Sequence, residues 1–394
     1  MLTINHPLIV IADDITGAAE IAGIGFRFGF KVNLIMYNGE ETITCPEGYD
    51  MLVLATDTRS MTEAEAIEET VRIAEAVKRM GFTFIFKKTD SVLRGHIAAE
   101  LKTLMDVTGI EYARLIPQNP SMGRTIVKGI YYINHVPLSK TKFASDPEFP
   151  AETADVMLLL FYKYRGYKYR GTILTPRKTT ERKGIFLAEA ATIKEIERRG
   201  AEINEGVLAA GGADFFTACL TVKGYTPNVL APFEGLQGKP TLIIQGSPKS
   251  KSLANFSYIQ QQNTIQRNMP MILFHREIPT RWAEKLKKEY TSHDLMILRF
   301  EDYSYRKSER AQKAQKLREE MGKAVIVLLS ERLPQELIIE GGATAFSILK
   351  RTAWNTFDVT GEVAPGIVRM TPVGNPGVTI TLKPGSYPWE NLFL

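Results

Sequence analysis

Two short segments combine acidic, basic and hydroxyl side chains at the points where apolar runs end. The first, IADDITGA, places Asp13 and Asp14 directly after the run from Leu8 to Ala12. The second, KKTDSVLRG, also follows an apolar run, and its polar residues include Lys88, Asp90, Ser91 and Arg94. Carboxylates orient or deprotonate hydroxyl groups, and lysine and arginine hold anions. The two segments therefore indicate a small ligand that carries both hydroxyl groups and a negative charge.

Each acidic residue also has a structural alternative. Either Asp13 or Asp14 alone could be the N-cap of a helix that begins near Thr16 or Gly17, because a cap carboxylate accepts hydrogen bonds from free backbone N–H groups. Two adjacent carboxylates repel each other, so we expect a cation, a bound hydroxyl or a basic side chain beside the pair. Asp90 or Ser91 could likewise cap the next helix, but lysine and arginine near a helix start oppose its dipole and favour an anion site.

Two further segments add arginines to this set. TDTRS contains Arg59 and PQNPSMGRT contains Arg124, and each follows an apolar run. Because arginine binds carboxylates through two parallel hydrogen bonds, we hypothesise that Arg59, Arg94 and Arg124 hold a substrate carboxylate. In the same hypothesis Asp13 or Asp14 orients or deprotonates the reacting hydroxyl group. Asp90 is a competing candidate for the base.

The elements that position these residues alternate between strands and helices. Apolar runs at 8–12, 32–36, 51–55, 82–86 and 114–116 predict strands, and helical periodicity is clearest from Met61 to Gly81, where Gly81 is the expected cap. Such alternation indicates a parallel sheet, in which the carboxyl ends of the strands share one edge. After Pro117 the hairpin-like alternation of apolar and polar residues predicts antiparallel strands, which interrupt the order of parallel strands and helices.

The second half repeats the pattern, with strands expected at 241–245, 295–300, 324–329 and 337–340. The segment 222–240 contains three prolines and no strong period, so we place a domain boundary there. The sequence thus predicts an α/β protein of two domains, residues 1–230 and 231–394. Each has a mainly parallel sheet, and a ligand cleft is expected between them.

Glycines follow a predicted strand in the segment LIIEGGATAFSILKR, Leu337 to Arg351. Glycines let the backbone approach a ligand, and the free N–H groups of a helix start favour a phosphate. The segment IIQGSPKSKS repeats this order of strand, glycine and helix. The segment TLKPGSYPW adds Lys383 and Gly385 after another predicted strand, so we expect a phosphate-bearing ligand on the second domain. The chain lacks the P-loop pattern, and the missing dinucleotide fingerprint disfavours a dehydrogenase.

Composition narrows the class of protein. The 394 residues carry a net charge of +5 and two cysteines far apart, which argues against a disulfide framework or a metal–thiolate site. No apolar run reaches the roughly 18 residues of a membrane span, and no signal peptide is recognisable. We therefore expect a cytoplasmic protein without a membrane partner. The basic stretch from Tyr162 to Lys183 is typical of a solvated surface, so no nucleic-acid partner is expected.

In their order along the chain, these motifs resemble the four-carbon acid sugar kinase family. The resemblance rests on IADDITGAAEIA, TDTRS, KKTDSVLRGHIAAEL, PQNPSMGRTIVKGIYYINHVPL, GSPKS, EGGATA, GEVAPGI and TLKPG, which span nearly the whole chain. It implies an N-terminal domain that binds a sugar acid such as threonate, erythronate or a 3-oxo-tetronate, and a C-terminal domain that binds ATP. The implied reaction is phosphorylation of the terminal hydroxyl group, with ATP and Mg²⁺ required.

The resemblance also implies the site residues. The sugar-acid site would contain Asp13, Asp14, Arg59, Lys88, Asp90, Ser91, Arg94 and Arg124. The nucleotide site would contain Ser247, Gly341, Gly342, Ala343, Thr344 and Gly385. The family usually has an acidic residue where Ala343 stands and reads Lys-Ser-Gly-x-Phe-Gly where this chain has KPGSYP. These departures suggest an alternative, a sugar-acid-binding regulatory protein whose nucleotide site has decayed. The metal ligands and the oligomeric state stay open, a homodimer being one option.

Overall fold

The computed structural model describes residues 7–37, 39, 43–82, 84–146, 149–161, 173–174, 183–204, 206–230, 232–247, 250, 252–270, 280–300, 309–385 and 387–393. Of the basic stretch discussed above, residues 162–172 and 175–182 lie outside this range. None of the described helices is both long and apolar enough to cross a membrane.

The described part of the first 228 residues contains eleven strands and six helices. They are β1 (Leu8–Ala12), α1 (Ile15–Arg27), β2 (Val32–Met36), β3 (Met51–Ala55), α2 (Glu63–Met80), β4 (Ile85–Lys88), α3 (Ile97–Thr108), β5 (Tyr112–Ile116), β6 (Arg124–Val127), β7 (Ile130–Ile133), β8 (Val136–Pro137), α4 (Val156–Phe161), β9 (Ile173–Leu174), β10 (Gly184–Leu187), α5 (Ile193–Gly200), β11 (Val207–Gly211) and α6 (Ala213–Val222). Helix α2 begins with a capping box between Thr62 and Glu65 and ends at Gly81 with φ 75°, which confirms the predicted helix and its cap.

The remaining described residues form seven strands and four helices. They are β12 (Thr241–Gln245), α7 (Ser257–Gln260), β13 (Thr264–Asn268), α8 (Thr280–Thr291), β14 (Leu295–Arg299), α9 (Arg310–Glu331), β15 (Glu336–Glu340), α10 (Gly342–Leu349), β16 (Thr356–Ala364), β17 (Ile367–Pro372) and β18 (Thr379–Lys383).

The chain divides into two compact units. Unit 1 comprises Met1–Val32 and Tyr37–Asn228, and unit 2 comprises Asn33–Met36 and Val229–Leu394. Residues 33–36, placed in the first domain from the sequence, belong to unit 2 because β2 pairs antiparallel with β16, with Asn33 opposite Asp358. This pairing joins segments more than 300 residues apart, which local sequence patterns do not reveal.

Parallel strands build the sheet of unit 1, in the order β3-β1-β4-β11-β5-β10-β9. Ala12 pairs with both Ala55 and Lys88, so β1, β3 and β4 end level with one another. All five side chains of β1 are buried, as expected of a central parallel strand. The predicted antiparallel strands form a separate sheet, β6-β7-β8.

In unit 2 the strands β13-β14-β12-β15-β18 are parallel, and β17, β16 and β2 extend the sheet with antiparallel pairings. Glu340 pairs with both Gln245 and Lys383, which aligns the ends of β15, β12 and β18.

Two predictions for the second half were wrong. The strand expected at 324–329 lies inside α9, where Met321, Ala324, Val325 and Leu328 are buried at helical spacing. A short apolar run does not distinguish a strand from a buried helix face. The helix expected directly after Gly246 does not form in the described residues, and α7 begins only at Ser257. Residues 248, 249 and 251 of the intervening segment lie outside the described part of the chain.

Candidate functional site

The aligned ends of β3, β1 and β4 bring five charged residues of unit 1 together. We call this group the strand-end cluster; it consists of Asp13, Asp14, Arg59, Asp90 and Arg94. Asp13 and Asp14 follow β1, Arg59 lies in a 3₁₀ turn after β3, and the other two residues follow β4. The expectation that these segments converge is confirmed.

Arg59 joins the acidic residues of the cluster. Its Nε and Nη2 donate to the two carboxylate oxygens of Asp13, both at 2.9 Å, and Nη1 donates to Asp14 Oδ2 at 2.8 Å. Nη1 also lies 3.6 Å from Asp90 Oδ1. Burial alone would lower the pKa of Arg59, but these three carboxylates raise it well above its usual value. The compensating cation expected beside the two aspartates is therefore Arg59.

Asp14 is also the N-cap of α1, as its Oδ1 accepts a hydrogen bond of 2.8 Å from the backbone N–H of Gly17. The structural alternative thus holds for Asp14, while its second oxygen contacts Arg59. Gly17 leaves room for this arrangement, because a Cβ there would lie 2.8 Å from Asp14 Oδ1 and 3.2 Å from Lys88 Nζ. Asp14 has the most exposed side chain of the three aspartates, at 20% against 3% for Asp13 and 7% for Asp90.

The turn after β4 is organised by Asp90. Its Oδ2 accepts from the backbone N–H groups of Val92 and Arg94, at 3.2 and 3.1 Å, and its carboxylate also binds the guanidinium of Arg94 at 2.9 and 2.8 Å. Burial alone would raise the pKa of Asp90, but the charges of Arg94 and Arg59 and the hydrogen bonds from Arg94 hold it well below its usual value. Asp90 is therefore a structural anion and a poor proton acceptor.

The same turn contains an unfavourable backbone conformation. Leu93 has φ 65°, a left-handed value that costs about 1–2 kcal/mol in a residue with a side chain. Gly95 follows with φ 87°, and a Cβ there would lie 3.3 Å from Cγ of Arg59. Hydrogen bonds and packing contacts of the turn must therefore offset this cost.

The lysines of this segment already have partners. Lys88 Nζ lies 3.3 Å from Glu20 Oε2 and donates to the carbonyl of Thr89 at 3.1 Å, and Lys87 forms a fully buried ion pair with Glu100. Arg94 is shared between Asp90 and Asp146, whose Oδ2 accepts from Nη1 at 3.0 Å. Within the described residues, three of the four cations expected to bind an anion, namely Arg59, Lys88 and Arg94, are thus paired with carboxylates.

Arg124 differs from these cations. Its guanidinium donates to Ser91 Oγ, and within the described residues it forms no ion pair with a carboxylate. Arg124 begins β6 directly after Gly123, and backbone hydrogen bonds of 3.0 Å in both directions join it to Asn119. Ser91 is held from a second side by the hydroxyl of Tyr131, which donates to its carbonyl oxygen. Arg124 is therefore the strand-end cation best placed to bind an external anion.

A cavity of about 410 Å³ opens beside Arg94. Its wall is mainly apolar and includes Leu93, Phe143, Phe149 and Leu159. Its polar lining residues are Arg94, Glu152 and Thr153.

In unit 2 the end of β15 leads into a backbone turn, which we call the glycine turn, residues 341–344. Gly341 has φ 92°, and α10 begins at Gly342, so the first N–H groups of this helix have no acceptors within it. Gly246, after β12, approaches the turn so closely that a Cβ would lie 2.2 Å from the Glu340 carbonyl oxygen and 2.4 Å from Thr344 Oγ1. Gly246 therefore packs directly against Glu340 and Thr344, and the free N–H groups at the start of α10 are the groups of this region that could bind a phosphate.

The charged groups beside the glycine turn neutralise each other. Glu340 Oε1 accepts from Lys383 Nζ at 3.0 Å and from Trp389 Nε1 at 3.1 Å, while Oε2 accepts from Ser250 Oγ. Burial lowers the pKa of Lys383, and the Glu340 carboxylate offsets part of this effect. The Lys383 side chain is fully buried, so its ammonium group does not face an incoming phosphate.

The remaining predicted nucleotide residues lie in or near the glycine turn. Ala343 is exposed and Thr344 is buried, and a Cβ at Gly385 would meet no atom within 4 Å. Ser247 follows Gly246 after β12. Within the described residues, no group of three or more histidine, cysteine, aspartate or glutamate side chains could hold a metal ion.

Several functional candidates were missed in the sequence. They are Glu20, Asp146, Tyr131, Glu340 and Trp389. Only Glu340 carried a usable signal, because a carboxylate at the end of an apolar strand requires a buried partner. The other four contact the sites through tertiary structure alone.

Comparison with known proteins gives two matching family models. One described as a sugar-binding N-terminal domain matches residues 8–213, and one described as a nucleotide-binding C-terminal domain matches residues 242–390. A 3-oxo-tetronate kinase of Brucella melitensis is 25% identical over 98% of this chain and 93% of its own length. A D-erythronate kinase of Heliobacterium modesticaldum is 26% identical over 61% of this chain, and the match spans 57% of that relative.

Solved structures show the same fold. A Salmonella typhimurium LT2 protein described as a tRNA synthase superimposes with a TM-score of 0.76 at 20% identity, with 98% of each chain covered. A Haemophilus influenzae protein of the family DUF1537 gives a TM-score of 0.68 at 19% identity, again with 98% of each chain covered.

Proposed function

Because the chain belongs to the four-carbon acid sugar kinase family, we propose that it transfers a phosphoryl group from ATP to the terminal hydroxyl of a four-carbon sugar acid. Threonate, erythronate and 3-oxo-tetronate are the candidate substrates, following the names of its relatives. The observation that carries the proposal is that the strand ends of unit 1 offer two different groups to a ligand. Asp14 offers a partly exposed carboxylate, and Arg124 offers a cation without a carboxylate partner among the described residues.

In unit 1 we assign the substrate carboxylate to Arg124 and the reacting hydroxyl group to Asp14. Arg59 and Arg94, which the sequence also suggested as carboxylate ligands, hold the acidic residues in place instead. Phosphoryl transfer depends on positioning and charge neutralisation more than on covalent catalysis. A carboxylate that orients the hydroxyl group and accepts its proton therefore suffices, and Asp14 is the most accessible one.

In unit 2 we assign the phosphates of ATP to the backbone N–H groups at the start of α10. A Cβ at Gly341 would have only Thr344 Oγ1 near it, at 4.0 Å, so the lack of a side chain there leaves the approach to these N–H groups open, while Gly246 packs against Glu340 and Thr344. Mg²⁺ would neutralise phosphate charge, held mainly by the phosphates themselves and by water. The buried Lys383 fixes Glu340 and the turn.

An ADP-release assay tests the proposal. Purified protein is mixed with Mg·ATP and each stereoisomer of threonate and erythronate, and with 3-oxo-tetronate. We expect at least one acid to stimulate ADP release, and Asp14→Asn to lower the rate by about a hundredfold or more. Asp106→Asn, which changes an exposed carboxylate on α3, is the matched control and should leave the rate unchanged. Failure of every acid to stimulate ADP release would overturn the kinase assignment.

A second candidate is a sugar-acid-binding protein with a decayed nucleotide site. It is favoured by Ala343 and by the burial of Lys383 against Glu340. Thermal unfolding with and without Mg·ATP separates the two functions, since a ligand that binds the native state raises the melting temperature. A sugar acid that stabilises the protein, together with nucleotide that does not, would favour this second candidate.

A further inference from the structure

The antiparallel sheet β6-β7-β8 makes two contacts with the turn after β4. Arg124 on β6 donates to the side chain of Ser91, and Tyr131 on β7 donates to the main-chain carbonyl of the same residue. Tyr131 is fully buried, and burial raises the pKa of its phenol, so the hydroxyl stays protonated as a donor. Two residues of one small sheet therefore hold Ser91 from two sides.

Ser91 lies between Asp90 and Leu93, whose left-handed φ of 65° has a conformational cost that contacts of the turn must offset. Asp90 stabilises the turn from within, through the N–H groups of Val92 and Arg94. Tyr131 supplies the support from outside, since a buried carbonyl without a hydrogen bond costs about 1–3 kcal/mol. Without this hydrogen bond the backbone of Ser91 is less well fixed, and its hydroxyl group is held less firmly in the position where Arg124 binds it.

We propose that Tyr131 is a positioning residue for recognition of the substrate carboxylate. In this proposal, which rests on the function above, Tyr131 fixes the backbone of Ser91, and Ser91 Oγ in turn fixes the guanidinium of Arg124. Arg124, held by Ser91, then binds the carboxylate of the sugar acid. The small antiparallel sheet is thus a specificity element that distinguishes acids from neutral polyols.

Calorimetric titration without nucleotide tests this proposal. The probes are D-erythronate and D-threonate, each compared with its neutral counterpart, erythritol or threitol. Wild type should bind an acid more tightly than the polyol, and Tyr131→Phe should weaken acid binding about tenfold while changing polyol binding little. Arg124→Gln should remove the preference for the acid. Tyr132→Phe, the next residue on β7, is only partly buried and should behave as wild type.

Each outcome has a definite meaning. If Tyr131→Phe retains the wild-type preference for the acid while Arg124→Gln loses it, the role of Tyr131 is overturned. If Tyr131→Phe weakens acid and polyol equally, its role is merely structural and the proposal fails. Should Tyr131→Phe not fold, Ser91→Ala replaces it, because this variant removes the link to Arg124 and must also reduce the preference. Acid binding without ADP release would overturn the kinase function but leave this inference standing.

Discussion

The strand-end cluster of unit 1 and the glycine turn of unit 2 handle charge with different parts of the polypeptide. In the cluster the charges are carried by side chains. Arg59 contacts three carboxylates, and the segment after each strand contributes an acidic or a basic side chain. In the glycine turn, the backbone provides the candidate anion site, and the nearby charged pair of Glu340 and Lys383 is closed on itself. Substitutions in the strand-end cluster should therefore act by removing charge, and substitutions at the glycine turn should act by steric crowding of the backbone.

The largest effect is expected for Arg59→Met. Removing this cation leaves Asp13 without its two hydrogen bonds and places three carboxylates together, so the free energy of unfolding should fall by about 3–5 kcal/mol. Phosphoryl transfer should fall at least about a hundredfold because Asp14 loses its orientation. Urea unfolding and ADP release measure the two effects.

The control for Arg59 is Arg79→Met, which breaks an exposed pair with Glu75. Exposed pairs contribute about 0–1 kcal/mol, so this variant should resemble wild type. Equal stability of the two variants would contradict the central role of Arg59.

Lys383→Met tests the closed pair in unit 2. Leaving Glu340 buried without its partner should lower the free energy of unfolding by about 3 kcal/mol. Adding Glu340→Leu should restore much of the loss, because the double variant contains no unpaired buried charge. Sugar-acid affinity should be the same in both variants. A double variant less stable than Lys383→Met would show that the pair does more than balance charge.

Gly246→Ala tests the role of space. The new Cβ would lie 2.2 Å from the Glu340 carbonyl oxygen, so the loop must move away from the glycine turn. We expect the KM for ATP to rise about tenfold, equivalent to about 1.4 kcal/mol, and the KM for the sugar acid to stay unchanged. Gly377→Ala is the control, since no atom lies within 4 Å of its Cβ position. An unchanged KM for ATP would argue against a phosphate site at the start of α10.

The smallest effect concerns pH. The pKa of Asp90 is depressed in the folded protein, so its contribution to stability is present above its ordinary pKa of 3.8 and is lost as the pH falls below that value. Between pH 4 and pH 3 this one group should remove about 1 kcal/mol. Asp90→Asn should therefore show a shallower loss of stability over this interval in acid unfolding experiments. A slope equal to that of wild type would exclude Asp90 as the depressed carboxylate.

The same contrast explains what could be predicted from sequence. Asp13, Asp14, Arg59, Asp90 and Arg94 were found because parallel strands end level with one another, which converts sequence position into spatial position. A cation, a bound hydroxyl or a basic side chain was expected beside Asp13 and Asp14, but the sequence did not predict which arginine would pair with which aspartate. Charge types alone do not reveal whether an arginine holds a ligand or a neighbouring aspartate.

Longer-range features were invisible in the sequence. Tyr131 contacts Ser91 across 40 residues, and Trp389 contacts Glu340 across 49. The apolar segment within α9 was mistaken for a strand because its length suited both, and only packing decides between them. Local patterns thus located the strand ends, while the partners of each side chain required the tertiary structure.

The most direct test of the proposed function is ³¹P NMR of the product formed from Mg·ATP and the sugar acid that best stimulates ADP release. A kinase with Asp14 at the reacting hydroxyl and Arg124 at the carboxylate predicts a phosphate monoester coupled to the two protons of the terminal carbon. Release of inorganic phosphate alone, or an ester at an internal carbon, would contradict this assignment.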